Sequence, residues 1–265
     1  MSADRLPGVV ATYASELVDQ VATASDGSLV GGYLHGSSAL GGWTAVCSDV
    51  DILFVLRDDT PRPVLLAVEV ALVAQSPACP GRGLETSVVS VQQAANPGDP
   101  WPFLVHVQAG HGDEPRRVSG DSIEGDRDLL MHYAVCRGAG ISVFGPDPIE
   151  VFGAVPRSAI LSYLSDELRW GCAHGTEAYA VLNACRALVY ASDGALISKT
   201  EGGQVALDRG LGPPEVIVRA LAEQRGERPA GVMTSSSTIF VESVVTDLVA
   251  VLGSLRSSVP FEGGC

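Results

Sequence analysis

The stretch that most limits how this chain can fold is residues 31–56, GGYLHGSSALGGWTAVCSDVDILFVL. An apolar run ends in Tyr33-Leu34-His35 and meets Gly36-Ser37-Ser38. A Gly-rich polar segment follows, and Ser48-Asp49-Val50-Asp51 then leads straight into Ile52-Leu53-Phe54-Val55-Leu56. This reads as strand, tight turn, loop and strand, with two carboxylates at the start of the second strand. Alternation along a strand puts residues i and i+2 on one face. Asp49 and Asp51 are therefore expected to face the same way, with Val50 turned into the core. Two carboxylates side by side repel each other unless a cation lies between them. Mg²⁺ suits that place, because it takes oxygen ligands from one or two carboxylates and fills its shell with phosphate oxygens. The Gly36-Ser37 turn fits the same ligand. Glycine lets backbone N–H groups come close to a phosphate, and the serine hydroxyl can add a hydrogen bond.

Around this stretch the apolar spacing predicts a helix over 5–25, a first strand over 28–35 and a second over 50–56. A helix is expected over 63–75 and a third strand over 84–91, where Glu85, Ser87 and Val89 share one face. Glu85 is either a solvated edge residue or a site residue. In the second case it can take the proton of an acceptor hydroxyl, serve as a third metal ligand, or do both. Residues 101–107 form a possible further strand. A helix over 126–136 with Asp126 or Asp128 as its cap precedes a short strand at 141–144. After Pro156 helical patterns dominate, at 158–174, 177–193, 213–225 and 238–256, and the tail from Val259 to Cys265 reads as frayed. The fold class expected is α+β. A mixed sheet flanked by helices fills residues 1–156, and an all-α helical bundle fills 157–265.

Composition narrows the partners. The formal charge is −14, and no basic face for a polynucleotide is visible, so no nucleic-acid role is expected. An acidic surface suits a cationic, hydroxylated small molecule, although plain solubility explains the net charge more simply. The 6 cysteines are scattered, with no metal-type spacing, which fits a reducing compartment. No apolar run near the ~20 residues of a membrane span is read, and no signal pattern opens the chain. A cytoplasmic monomer with no membrane partner is the expectation. The five histidines, His35, His106, His111, His132 and His174, form no visible set and are expected to be structural.

Gly36-Ser37, Ser48-Asp49-x-Asp51 and a lone acidic residue on a later strand resemble the nucleotidyltransferase superfamily of the DNA polymerase beta type. Within it, the segments LHGSSALGGWTAVCSDVDILFVL, LETSVV, DRDLLMHYAVCRGAGISVFGP and VLNACRALVYASDGALISK resemble the aminoglycoside (3″)(9) adenylyltransferases. The resemblance covers roughly residues 29–225. It implies AMP transfer from ATP to an antibiotic hydroxyl, with two Mg²⁺ ions held by Asp49, Asp51 and Glu85. Glu85 is also implied as the catalytic base. It implies that Ser37 and Ser48 face the nucleotide beside Gly36, with a turn cap as the equal alternative for Ser48, and that Arg186 and Lys199 reach the ATP phosphates. ATP and the acceptor are expected in a cleft between the two domains.

The streptomycin-modifying members place a Trp and, a few residues later, an Asp on that drug. Here Trp170 is followed by Gly-Cys-Ala-His-Gly with no Asp at the matching place, leaving His174 or Glu177 as the substitute. Spectinomycin or another hydroxylated cation therefore stays open as acceptor. A salt bridge from Arg186 to Glu167 competes with its phosphate role, and Lys199 is read in a polar loop. The alternatives are the same chemistry on another small-molecule hydroxyl, in natural-product biosynthesis or self-protection, and a non-catalytic nucleotide sensor.

Overall fold

The computed structural model describes residues 6–257, so the tail read as frayed lies outside the described residues. By contacts the chain divides into two compact units, Met1–Val155 and Pro156–Cys265.

The first unit is built on a six-stranded sheet. Its strands are β1 (Leu29–Leu34), β2 (Val50–Leu56), β3 (Gly83–Ser90), β4 (Val105–Gly110), β5 (Arg116–Ser119) and β6 (Ile141–Phe144). They lie in the order β5-β4-β3-β2-β1-β6. The sheet is mixed: β2 and β3 run parallel and the other neighbours antiparallel. A parallel pair needs a crossover, and α3 (Arg62–Gln75) lies in that connection. Strand alternation sorts the two faces. Val50, Ile52, Phe54 and Leu56 of β2 pack with Leu84, Val88, Val105 and Val107 into the core under α1 (Gly8–Ala24) and α3. Each such side chain contributes about 1.5–3 kcal/mol when fully buried.

On the opposite face, α5 (Leu129–Ala139) and α6 (Pro148–Val151) cover part of the sheet. There Tyr33 meets Phe152 edge-on at 5.0 Å, and Tyr133 packs 5.8 Å from Phe152. The rest of that face carries Asp51 and Glu85. Two short helices complete the unit, α2 (Gly36–Ala39) after β1 and α4 (Val91–Ala95) after β3. β5 departs from the sequence reading, which left residues 108–120 as loop. It is a short edge strand bearing Arg116 and Arg117, and charge at an edge hides the apolar alternation that marks a strand.

The second unit contains α7 (Arg157–His174), α8 (Glu177–Asp193), α9 (Lys199–Arg209), α10 (Pro214–Gln224) and α11 (Ser235–Ser257). The middle of α8 is buried on nearly every side by small and aliphatic residues, among them Ala180, Val181, Ala184 and Ala187. α9 was not read from the sequence. Its Gly202-Gly203 pair weakens the helical pattern, yet it lets α9 approach α8 closely: a Cβ at 202 would stand 2.8 Å from Arg186 Cγ. The start of α9 did carry a sign, since the Ser198 hydroxyl accepts from the Glu201 N–H at 3.2 Å. α11 corrects the reading that no run approaches a membrane span. Ser235–Leu255 is long and apolar enough to cross a membrane by length and composition. One stripe of it, Phe240, Val241, Val244 and Leu248, is buried in the helical unit.

Glu177, at the start of α8, locks this unit together. Its carboxylate takes two hydrogen bonds from Arg219 of α10 at 2.6 Å each, and others from Ser237 and Thr234. The side chain is 2% exposed. The Arg219 guanidinium, helped by the Ser237 and Thr234 hydroxyls, holds the carboxyl down at about 2. We expect Glu177→Ala to cost about 3 kcal/mol in urea unfolding of this unit, because it strands a charged Arg219. The folded-state pKa is depressed. The stabilisation is therefore fully present above the usual value of 4.5 and is lost as pH falls through about 2.

Candidate active site

The parallel pairing of β2 and β3 sets Asp51 directly beside Glu85, with Val50 beside Leu84. Val50 and Leu84 are buried in the core, so the two carboxylates share the opposite, open face. Asp49 lies two residues before Asp51. β3 is an interior strand, which removes the solvated-edge reading of Glu85.

The turn after β1 is fitted against this group. Gly36 has φ +54, and a Cβ there would overlap the Asp51 carboxylate. Both facts require glycine. The backbone N–H of His35 donates to the Asp51 carbonyl at 3.0 Å, which fixes the turn to β2. α2 makes its first bonds from Ala39 N–H to His35 and from Leu40 N–H to Gly36. The N–H groups of its first turn precede those bonds, the arrangement that suits an anion. We expect Gly36→Ala to lower the proposed transfer about 10–100-fold, since it displaces Asp51 as well as straining the turn. Thermal unfolding of the same variant separates the strain from the chemical effect.

The segment between α2 and β2 is held by its own bonds. Trp43 Nε1 donates to the Asp49 carbonyl at 3.1 Å. The Ser48 hydroxyl accepts from Thr44 N–H at 3.0 Å, and Arg82 N–H donates to the Ser48 carbonyl at 2.9 Å. Ser48 is 5% exposed. Ser48 closes this loop through its hydroxyl and ties it to β3 through its carbonyl. Ser37 stays half-buried at the turn.

The electrostatics of Glu85 follow from its neighbours. Burial raises its pKa above the usual carboxylate range, and Asp49, Asp128 and Asp126 add to the rise, while His106 opposes it. Asp126 and Asp128 were read as helix caps; the segment before α5 also brings their negative charge toward the site. The histidines are not unrelated either. The rings of His35 and His132 of α5 lie 4.5 Å apart, tilted by 37°, and burial lowers the pKa of both. His106, on β4, bonds through Nδ1 to the Ser87 hydroxyl at 3.0 Å. A cavity of about 600 Å³ opens beside Asp49, lined among others by Arg82, Gln108, His111 and Arg116.

The carboxylates fit Mg²⁺ by chemistry. Asp51 and Glu85, side by side in the sheet, and Asp49 just before β2 offer only hard oxygen donors. Among the described residues no group of three or more His, Cys, Asp or Glu side chains is arranged to hold a metal ion. The trio expected to hold Mg²⁺, Asp49, Asp51 and Glu85, is thus not gathered into such a group.

The remaining sequence candidates lie in the helical unit. Trp170 is 51% exposed. It stacks on His174 at 5.3 Å and meets Tyr179 edge-on at 5.8 Å. Lys199 lies with Nζ 4.4 Å above the Tyr179 ring. It opens α9 and does not sit in a loop. Tyr179 also donates to Glu167, and Arg186 donates to Asn183 at 3.2 Å. Trp170 and His174 thus form an exposed aromatic surface. Glu177 does not join it, because its carboxylate is consumed by the Arg219 lock. This corrects Glu177 as a substrate ligand.

Comparison with known proteins bears on the same reading. Residues 150–249 match the family model described as aminoglycoside adenylyltransferase, C-terminal domain. The spectinomycin 9-adenylyltransferases of Staphylococcus aureus strains Mu50 and N315 are each 28% identical over 151 residues, or 53% of this chain and 55% of the relative. The chain thus spans about half the length of the curated relatives it matches. A crystal structure of spectinomycin adenyltransferase AAD(9) from Enterococcus faecialis with ATP and spectinomycin superposes with a TM-score of 0.61 at 16% identity, covering 88% of this chain and 97% of that one. This last likeness shows the α+β fold alone. With the family's C-terminal domain matched over residues 150–249, the resemblance of this chain to the aminoglycoside adenylyltransferases is shown.

Proposed function

We propose that the chain is a Mg²⁺-dependent nucleotidyltransferase that moves AMP from ATP to a hydroxyl of an aminoglycoside or aminocyclitol and releases pyrophosphate. The observation that carries this is the register pair Asp51–Glu85 with Gly36 fitted against the Asp51 carboxylate. That arrangement sets Glu85, Asp51 and the Gly36 turn together, which supports reading them as base, metal-binding carboxylate and phosphate turn.

In this reading Asp49 and Asp51 hold the metal. When bound, Mg²⁺ supplies charge neutralisation and polarisation of the triphosphate. The turn at Gly36-Ser37 offers its N–H groups and the Ser37 hydroxyl to phosphate oxygens. Glu85 takes the proton of the acceptor hydroxyl. The acceptor oxygen bonds to the α-phosphorus as the bond from that phosphorus to the bridging oxygen breaks, and pyrophosphate leaves. Burial and three neighbouring aspartates make Glu85 a stronger base than an ordinary carboxylate. Arg186 and Lys199 are assigned to the nucleotide phosphates by the family resemblance. Trp170 and His174 offer aromatic faces to a cationic acceptor.

Spectinomycin is the favoured acceptor class. The matched relatives are named for it, and this chain lacks an Asp in the five residues after Trp170. The test is to incubate purified protein with ATP, Mg²⁺ and either spectinomycin or streptomycin, reading pyrophosphate and product mass. Adenylylated spectinomycin is expected. Pyrophosphate release with another hydroxylated cation alone would keep the chemistry and move the acceptor. ATP binding with no release from a broad acceptor panel would favour a nucleotide sensor.

A further inference from the structure

The register of the sheet carries the polar row of the site beyond Glu85 to its edge. Asp51 of β2 pairs with Glu85 of β3, Glu85 with Gln108 of β4, and Gln108 with Arg116 of β5. Directly paired residues share a face, so these four side chains form one row across the open side of the sheet. The opposite face is the core side, where Val107 is buried and Arg117 reaches Glu69 of α3 at 3.9 Å. Gln108 and Arg116 are exposed, and among the described residues Arg116 is in no ion pair. The neighbouring row on this face is Gly83 opposite Gly110, which carries no side chain and leaves room above the strands. The cavity of about 600 Å³ beside Asp49 opens there, with Gln108, Gly110 and Arg116 in its lining. Its rim is fixed by backbone bonds: Arg82 N–H donates to the Ser48 carbonyl at 2.9 Å, and His111 N–H to the Arg82 carbonyl at 3.1 Å.

We propose that this cavity over β3, β4 and β5 is the acceptor subsite, with Gln108 and Arg116 as its specificity-determining residues. The direction of the chemistry supports it. In-line displacement sets the attacking and leaving oxygens on opposite sides of the phosphorus. The Gly36 turn continues from β1 and is fitted against the Asp51 carboxylate, whereas Glu85 flanks Asp51 from β3. Phosphates held at the turn leave on the β1 side, so the acceptor hydroxyl arrives on the β3 side, and the rest of the acceptor extends over β4 and β5. There the Gln108 amide and the Arg116 guanidinium donate to hydroxyl and ether oxygens of a polyhydroxylated ring. Arginine alone would repel a cationic acceptor, but Asp113 and Glu114 line the same cavity and offer carboxylates to its ammonium groups. The Asp113 carboxylate lies over the bare glycine row, since a Cβ at Gly110 would stand 2.8 Å from its oxygen. The inference rests on the proposed transfer with Glu85 as its base.

The test is calorimetry of spectinomycin binding to the full-length protein, with Mg²⁺ and an ATP analogue whose α–β bridge is a methylene, so that nothing turns over. Gln108→Ala and Arg116→Ala are each expected to weaken spectinomycin binding about 10-fold, the loss of one hydrogen bond, with affinity for the ATP analogue unchanged. Arg117→Ala removes the same charge from the opposite face and is expected to change neither affinity. All three positions are exposed, and thermal unfolding is expected to stay at the wild-type temperature. No spectinomycin binding to wild type, an affinity unchanged in either Gln108→Ala or Arg116→Ala, or an equal loss in Arg117→Ala would overturn the proposal. Wild-type AMP transfer alongside such a result would leave the transfer standing and remove the subsite. The expected losses of affinity in a wild-type protein that transfers no AMP would keep the binding pocket and remove the transfer.

Discussion

Glu85→Gln is expected to cut nucleotide transfer about 10²–10⁴-fold, the usual contribution of a positioned general base. The substitution keeps size and hydrogen bonding and removes only the charge and the proton affinity. Burial and the surrounding carboxylates disfavour the charged form of Glu85, so its loss should not unfold the sheet. Thermal unfolding is expected to be unchanged or slightly raised. The same variant separates the two roles that the sequence left open. As base alone, Glu85→Gln leaves Mg²⁺-dependent ATP affinity near wild type in calorimetry. As a metal ligand also, it weakens that affinity. Wild-type turnover in this variant would remove Glu85 from the chemistry.

Asp51→Asn is expected to lower transfer about 10³-fold, the equivalent of about 4 kcal/mol of transition-state stabilisation. Asp51 stands between the Gly36 turn and Glu85 in the register of the sheet. Neutralising it removes an anionic oxygen from any metal held there and a like charge from beside Glu85. ATP affinity is therefore expected to fall in Mg²⁺ and to stay constant in chelator. Equal ATP affinity for wild type and Asp51→Asn in Mg²⁺ would contradict metal binding at Asp51.

Which features could be read in advance depended on whether their cause was local. β2, with Asp51 near its start, was legible because alternation and a Gly-Ser turn act over a few neighbouring residues. The Asp51–Glu85 pairing was not legible; the sequence showed Glu85 only as an acidic residue on a later strand. Its register is set by a parallel crossover that no periodicity reveals. The His35–His132 ring contact and the Ser87–His106 bond join residues far apart in the chain, so five isolated histidines hid two contacts near the site. Glu177 misled for a similar reason. An acidic residue near Trp170 reads as a ligand until α10 brings Arg219 onto it. α9 was masked by Gly202 and Gly203, which weaken helix propensity and are tolerated because α8 packs against them.

The chemistry is tested most directly by following label. Protein, Mg²⁺ and spectinomycin are incubated with ATP labelled at the α-phosphorus in one reaction and at the γ-phosphorus in another. The α label is expected on the acceptor and the γ label in pyrophosphate, with both transfers lost in Glu85→Gln and in chelator. Appearance of the γ label on the acceptor, or α-label transfer that survives Glu85→Gln at the wild-type rate, would contradict nucleotidyl transfer at this carboxylate site.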